Sequence, residues 1–327
     1  MICYVYRMSI MKNKFSWSFS RRRMFEECKR KYYYYYYGSW GGWSTSADSE
    51  TRLLYILKNL QTRHQWMGSV VHDVLKRIID TALFGTRPLN HTLASTTLHN
   101  IMKRDFYNAR SGKNHTDPKN FRGLFELEYD LPVPNQEWKR LYTAATSCID
   151  AFFNSPFPDI INHLKYNDRL KIEQFDYFRH NTIKIFAVPD FIYKNNGIYT
   201  IIDWKTGSTT NYTDAKQQLT LYTAFTIDKW NTAINSCTAE IYNLLQQDNE
   251  TFLITQQDIE ETCALMDESI EHMRSLLDSV TENTASINRF ARCDAMHICR
   301  TCFFYQLCWT DQVLRDYYDE DYFIPFA

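Results

Sequence analysis

Read for the spacing of its apolar positions, the 327-residue chain divides into a helical first half and a second half where extended and helical patterns alternate. Residues 16–37 contain no Gly or Pro and open with a Ser-rich start around Trp17, Ser18 and Ser20, which predicts one helix ended by Gly38, Gly41 and Gly42. A second helical pattern runs from about Ser49 to Phe84. Its apolar positions are Leu53, Leu54, Ile56, Leu57 and Leu60, then Val70, Val71, Val74, Leu75, Ile78 and Ile79, with a bend expected at Gly68. Helices are also predicted over 89–109 and 135–154, separated by a loop with Ser111, Gly112 and Pro118 and by a strand candidate at 124–131.

After Asp168 the period becomes extended. Residues 170–178, 182–193 and 197–207 are rich in β-branched and aromatic side chains and are punctuated by Asn and Gly, which predicts adjacent strands in a meander. A helix over 215–230, strands over 238–245 and 251–255, and a long helix over 258–277 follow. No internal repeat is present. The fold class is therefore α/β, a mixed central sheet flanked by helices. The pattern divides into a variable N-terminus (1–15), N-terminal helices (16–85), a helical insertion (86–167), a sheet-bearing core (168–285) and a cysteine-rich end (286–327).

Composition changes this picture little: 44% hydrophobic and 23% charged residues suit a globular protein and exclude wholesale disorder. No run reaches the roughly 18 apolar residues a membrane span needs. The opening ten residues lack the order of regions in a secretory signal, Met11 is a candidate initiator, and a cytoplasmic, reducing location is expected. The aromatic content, 16%, is high; most of it reads as core, and exposed aromatics could stack unpaired bases. A net charge of −1 offers a polyanion no global attraction, so any such site needs local clustering. Arg21, Arg22, Arg23, Lys29, Arg30 and Lys31 form one cluster, running directly into six tyrosines, Tyr32 to Tyr37. A solvated helix face explains such a run, as does a surface that tracks a phosphate backbone through Arg21, Arg22, Lys29 and Arg30.

Two constellations carry chemistry. Asp190, after Pro189, and Asp203-Trp204-Lys205 lie on neighbouring predicted strands. Alternation along the second puts Asp203 and Lys205 on one face and Trp204 on the other. Two carboxylates and an amine at one sheet end suit phosphodiester hydrolysis with Mg²⁺ or Mn²⁺ held by hard oxygen ligands. Near the C-terminus, Cys299, Cys302 and Cys308 have C-x2-C-x5-C spacing, and Cys28 stands alone in the basic segment. Four thiolates suit zinc or an iron-sulfur cluster, and spacing alone does not choose. Cys293 and His297 are rival ligands; Cys3, Cys148, Cys237 and Cys263 read as small buried hydrophobes.

The strings IFAVPDFIY, IIDWKTG and QQLTLYTAF in this order resemble the PD-(D/E)xK nuclease superfamily, in particular RecB-like and AddB-like nuclease domains and the four-cysteine CRISPR adaptation nucleases. The Asp at position 203, where Glu also occurs in the family, matches the RecB-like branch better. The resemblance spans about Ser16 to Trp309. It implies a restriction-endonuclease-like core, and His72, in Gly68-Ser69-Val70-Val71-His72, as a metal ligand beside Asp190 and Asp203. Lys205 is then catalytic, Gln218 and Tyr222 order the site or touch DNA, and Glu173 is a weaker candidate. It implies a 4Fe-4S cluster on Cys28, Cys299, Cys302 and Cys308 that clamps the chain ends together. The implied activity is a DNA nuclease, an exonuclease on single-stranded or free-ended DNA in repair, CRISPR adaptation or phage defence. No G-x4-G-K-[ST] motif is present, so unwinding needs a helicase or defence-complex partner. A catalytically silent nucleic-acid-binding module of the same fold and a zinc-stabilised interaction protein remain as alternatives.

Overall fold

A computed structural model describes residues 12–85, 87–172, 175–208 and 211–314. Its first part is β1 (Ser16–Trp17), α1 (Phe19–Glu27), α2 (Lys29–Tyr33), a π-helical turn (Tyr34–Gly38), α3 (Ser49–Lys58), β2 (Leu60–Gln61) and α4 (Arg63–Phe84). Then come α5 (His91–Arg110), α6 (Lys113–Thr116), β3 (Gly123–Leu124), α7 (Phe125–Glu128), α8 (Asn135–Asn154) and α9 (Phe157–His163). The sheet-bearing part holds β4 (Arg169–Ile172), β5 (Asp176–His180), β6 (Ile183–Ala187), β7 (Phe191–Asn195), β8 (Ile198–Lys205), α10 (Tyr212–Trp230), β9 (Cys237–Asn243), β10 (Asp248–Phe252) and α11 (Gln256–Ser275). Two short helices, α12 (Met296–Cys299) and α13 (Tyr305–Cys308), carry the C-terminal cysteines. Among the described residues no helix is long and apolar enough to cross a membrane.

The five-stranded sheet has the order β10-β9-β8-β7-β4. Its β8 and β9 are parallel, joined through α10, while the other neighbours are antiparallel, so the sheet is mixed. Alternation along the strands builds two cores. Phe191, Ile202 and Trp204 face α4, α5 and α8 in one, and Ile192, Ile201 and Ile241 face α10 and α11 in the other.

The structure corrects five expected elements. The predicted meander is broken, because the β5–β6 hairpin leaves the main sheet and joins β1 in a separate one, β1-β6-β5. The extended run 182–193 accordingly splits at Val188-Pro189-Asp190, where Pro cannot supply a ladder donor. Residues 124–131 form mostly the turn of helix α7 rather than a strand. The long helix 49–84 breaks at Asn59–Thr62, not at Gly68, because Thr62 and Gln65 form a capping box that starts α4 afresh. The helix expected over 16–37 breaks at Cys28, whose extended backbone (φ −160°, ψ 116°) ends α1 while its sulfur accepts the Lys31 N–H at the start of α2.

Candidate active site

The antiparallel register pairs Phe191 with Ile202, so Asp190, one residue before β7, lies beside Asp203 near the end of β8. Both are buried, Asp190 at 9% and Asp203 at 3% exposure. Asp190 Oδ2 accepts the Trp204 backbone N–H at 2.7 Å, which fixes the carboxylate and leaves Oδ1 facing His72 Nδ1 at 3.3 Å. Trp204 itself points to the opposite core, edge-on to Phe157 at 4.5 Å.

The buried Asp203 Oδ2 lies 2.5 Å from the Lys205 ammonium as an ion pair. Burial pushes the Asp203 carboxyl up to about 6; Lys205 pulls it down and the Asp190 charge adds to the rise. Lys205 Nζ donates to Gln218 Oε1 at 3.3 Å, and Gln218 Nε2 donates to Tyr222 Oη at 2.7 Å. The i, i+4 spacing on α10 thus holds a relay of polar contacts that ends on Lys205.

Gly68 explains how α4 brings His72 here. A side-chain carbon at Gly68 would stand 2.8 Å from Thr206 Oγ1, so only glycine allows α4 this close to the residue after Lys205. The chemistry of the donors suits a hard divalent cation: two buried carboxylates, one of them countered by the Lys205 ammonium, and an imidazole beside them. As they stand, no three His, Cys, Asp or Glu side chains among the described residues close on one point. Glu173 lies outside the described residues.

The basic segment does not form one phosphate-facing row. Arg21 is 3% exposed and donates to Tyr32 Oη at 3.0 and 2.8 Å and to Ser16 Oγ at 3.1 Å, so its expected role on an open surface is corrected to packing. Arg22 pairs with Glu26 at 2.8 Å, and Arg30 donates to the Phe290 carbonyl at 2.8 Å. Lys29 is exposed over the Phe25 ring. The tyrosine run divides likewise: Tyr32 and Tyr34 are core, and Tyr35 and Tyr36 line a groove beside Gln218 and Tyr222. Sequence reasoning missed Lys58, Phe175 and Phe186 in that groove. Phe186 sits on β6 and Phe175 immediately before β5, so the available signal was a pair of aromatics flanking a hairpin whose partner strands were not legible.

Cys28, Cys299, Cys302 and Cys308 line one cavity of about 310 Å³, part of it open to solvent, together with Lys31 and Arg292. Burial pushes the Cys302 thiol up to about 12 and raises those of Cys299 and Cys308, so any metal bound here must displace protons. Cys293 and His297 do not line the cavity; the Cys293 sulfur instead accepts the Ala295 N–H at 3.3 Å. Cys148 is fully buried, Cys237 and Cys263 are half-buried at the edge of a core, and Cys3 lies outside the described residues.

No curated protein matches this chain significantly. A family model described as the PD-(D/E)XK nuclease superfamily matches residues 16–309, from the β1 strand to the residue after the last cavity-lining cysteine. That span contains the paired carboxylates, the lysine and the α10 relay, and the chain belongs to the PD-(D/E)XK nuclease superfamily.

Proposed function

We propose that this protein is a metal-dependent deoxyribonuclease that hydrolyses phosphodiesters near a free end of single-stranded DNA. The observation that carries the reading is the joined set His72–Asp190 and Asp203–Lys205–Gln218–Tyr222 at one end of the sheet. His72, Asp190 and Asp203 would hold Mg²⁺ or Mn²⁺, the ions typical of this superfamily. The ion, when bound, supplies charge against the phosphate and acidifies a water. Asp190 is held in place by the Trp204 N–H, and the low-dielectric wall around Asp203 strengthens its attraction for a cation. Lys205, positioned by the Gln218 amide, offers a donor to the phosphate oxygens and can orient the attacking water.

The four thiols that face one cavity support a structural 4Fe-4S cluster of the kind found in RecB-like and AddB-like nucleases. Lys31 and Arg292 beside them would offset the negative charge of a thiolate cluster. A zinc ion is the other occupant these ligands suit, and metal analysis with a visible spectrum of anaerobically purified protein separates the two. For the nuclease reading, the test is cleavage of end-labelled single-stranded DNA in Mn²⁺ by wild type and by Asp203→Ala and Lys205→Ala. Wild-type cutting with both variants at least about a hundred-fold slower is expected. Asp203→Ala protein that cuts at the wild-type rate would sink the assignment.

A further inference from the structure

The groove beside Gln218 and Tyr222 encloses about 1410 Å³, part of it open to solvent, and its lining is chemically one-sided. Lys14, Arg21, Arg23 and Lys58 line it, and no Asp or Glu does among the described residues. On a chain of net charge −1 this is a strongly local positive field. Arg21 is committed to Tyr32 and Ser16, and Arg23 to Asp214 at 3.3 Å. Lys14 and Lys58 have no carboxylate partner among the described residues. Lys58 is also half-buried over the rings of Tyr35 and Tyr55, and burial holds its ammonium down at about 8. A desolvated cation without a counter-charge is costly unless an anion joins it.

Much of the rest of the lining is aromatic. Phe175 stacks on Phe186, with ring centres 4.3 Å apart and planes at 28°, and is nevertheless 75% exposed. An exposed phenyl ring already lying in a stack has one free face, the size and shape on which a nucleobase settles. Tyr36 and Trp40 continue the aromatic lining. Base faces are free in an unpaired strand and hidden in a duplex. Gln218 and Tyr222 also line the groove, and Gln218 accepts a hydrogen bond from Lys205 at 3.3 Å.

We infer that this groove is a guide for an unpaired DNA strand, with Phe175 and Phe186 stacking a base and Lys58 and Lys14 meeting phosphates, and that it delivers the strand to Lys205. The inference rests on the nuclease reading only for the direction in which the strand is led.

The test is fluorescence anisotropy in EDTA, so that binding is read without cleavage. The probes are a fluorescein-labelled oligo(dT) of roughly 20 nucleotides, an abasic strand of equal length and a blunt duplex. Phe175→Ala changes an exposed side chain and should weaken oligo(dT) binding roughly 5- to 100-fold while leaving the abasic strand within about two-fold. Lys58→Met should weaken both strands alike and reduce the salt slope by about 0.7. Duplex binding as tight as oligo(dT) overturns the proposal. So does Phe175→Ala that binds oligo(dT) normally, or loses the abasic strand equally. Protein that binds oligo(dT) through Phe175 yet cuts nothing in Mn²⁺ sinks only the nuclease reading; protein that cuts but fails these binding tests sinks only the groove.

Discussion

Gly68→Ala puts a methyl group where α4 lies against the residue after Lys205. The new carbon would stand 2.8 Å from Thr206 Oγ1 and 4.0 Å from Thr206 Cβ. The second distance is an ordinary contact and the first is not, so either Thr206 rotates or α4 retreats. Overpacking of this kind costs about 1–3 kcal/mol. Ala in place of Gly in a helix interior returns about 1 kcal/mol, leaving a net loss of roughly 0–2 kcal/mol. Turnover should fall further than stability, because His72 is one helical turn from Gly68 and shifts with it, away from Asp190. A displacement approaching an ångström lowers kcat about 10- to 100-fold. The assay is single-turnover cleavage of end-labelled single-stranded DNA in saturating Mn²⁺, alongside a thermal melt. Adding Thr206→Ala removes Oγ1 and leaves only the 4.0 Å contact, so the double variant should recover most of the activity of Thr206→Ala alone. Full turnover in Gly68→Ala, or no recovery in the double variant, would refute the close-approach argument.

Three other outcomes follow from single contacts. Gln218→Ala removes the acceptor that holds Lys205 Nζ and should lower kcat about ten-fold with KM for DNA nearly unchanged, whereas Tyr222→Phe, one bond further out, should cost less. Cys28→Ala should abolish the iron content and brown absorbance of anaerobically purified protein and lower its melting temperature, while Cys148→Ala keeps the absorbance. His64, whose Nε2 is buried without a hydrogen bond, is held down at about 4 by burial and by the charges of Arg63 and Arg140. In the window from about 6.5 down to about 4 the unfolded chain therefore binds the extra proton, so this histidine's contribution is complete above 6.5 and is lost as pH falls. His64→Gln should flatten the wild-type loss of stability across that window in denaturant melts; equal slopes for the two proteins would show that His64 is not responsible.

What could be read ahead of the structure depended on how local the cause was. The run of β8 and the facing of Asp203 and Lys205 follow from alternation alone, and α8 begins and ends where its apolar period does. The α4 start is written in Thr62 and Gln65, whereas Gly68, which by its residue type alone reads as a breaker, serves a contact with Thr206 from far along the chain. No Gly or Pro marks the break at Cys28, whose cap is a thiol. The transfer of β5 and β6 to another sheet depends on pairing Ser16 with Lys184, and burial of Arg21 depends on Tyr32 and Ser16 closing over it. Counting charges places Arg21 on the surface; only tertiary packing reveals its hydrogen bonds and the rings around it.

The segment from Ser16 to Trp40 links the three features argued above. Its first residues pair with β6, and the Trp17 indole donates to Ser269 on α11 at 2.8 Å, which ties it to the sheet-bearing core. Its middle residue, Cys28, faces the thiol cavity, and its last turns supply Tyr35, Tyr36 and Trp40 to the groove. Between them, Tyr34 packs on Phe304 of the cysteine segment, with ring centres 5.3 Å apart. A metal cluster on the four thiols would therefore fix the groove wall rather than the carboxylates, which are held by β7, β8 and the Trp204 N–H. On that geometry, losing the cluster should weaken capture of a strand before it touches the hydrolytic step. A cluster-free protein that remains folded should accordingly show a raised KM for DNA while keeping most of the wild-type kcat, and a kcat that falls as far as kcat/KM would place the cluster's influence at Lys205 instead.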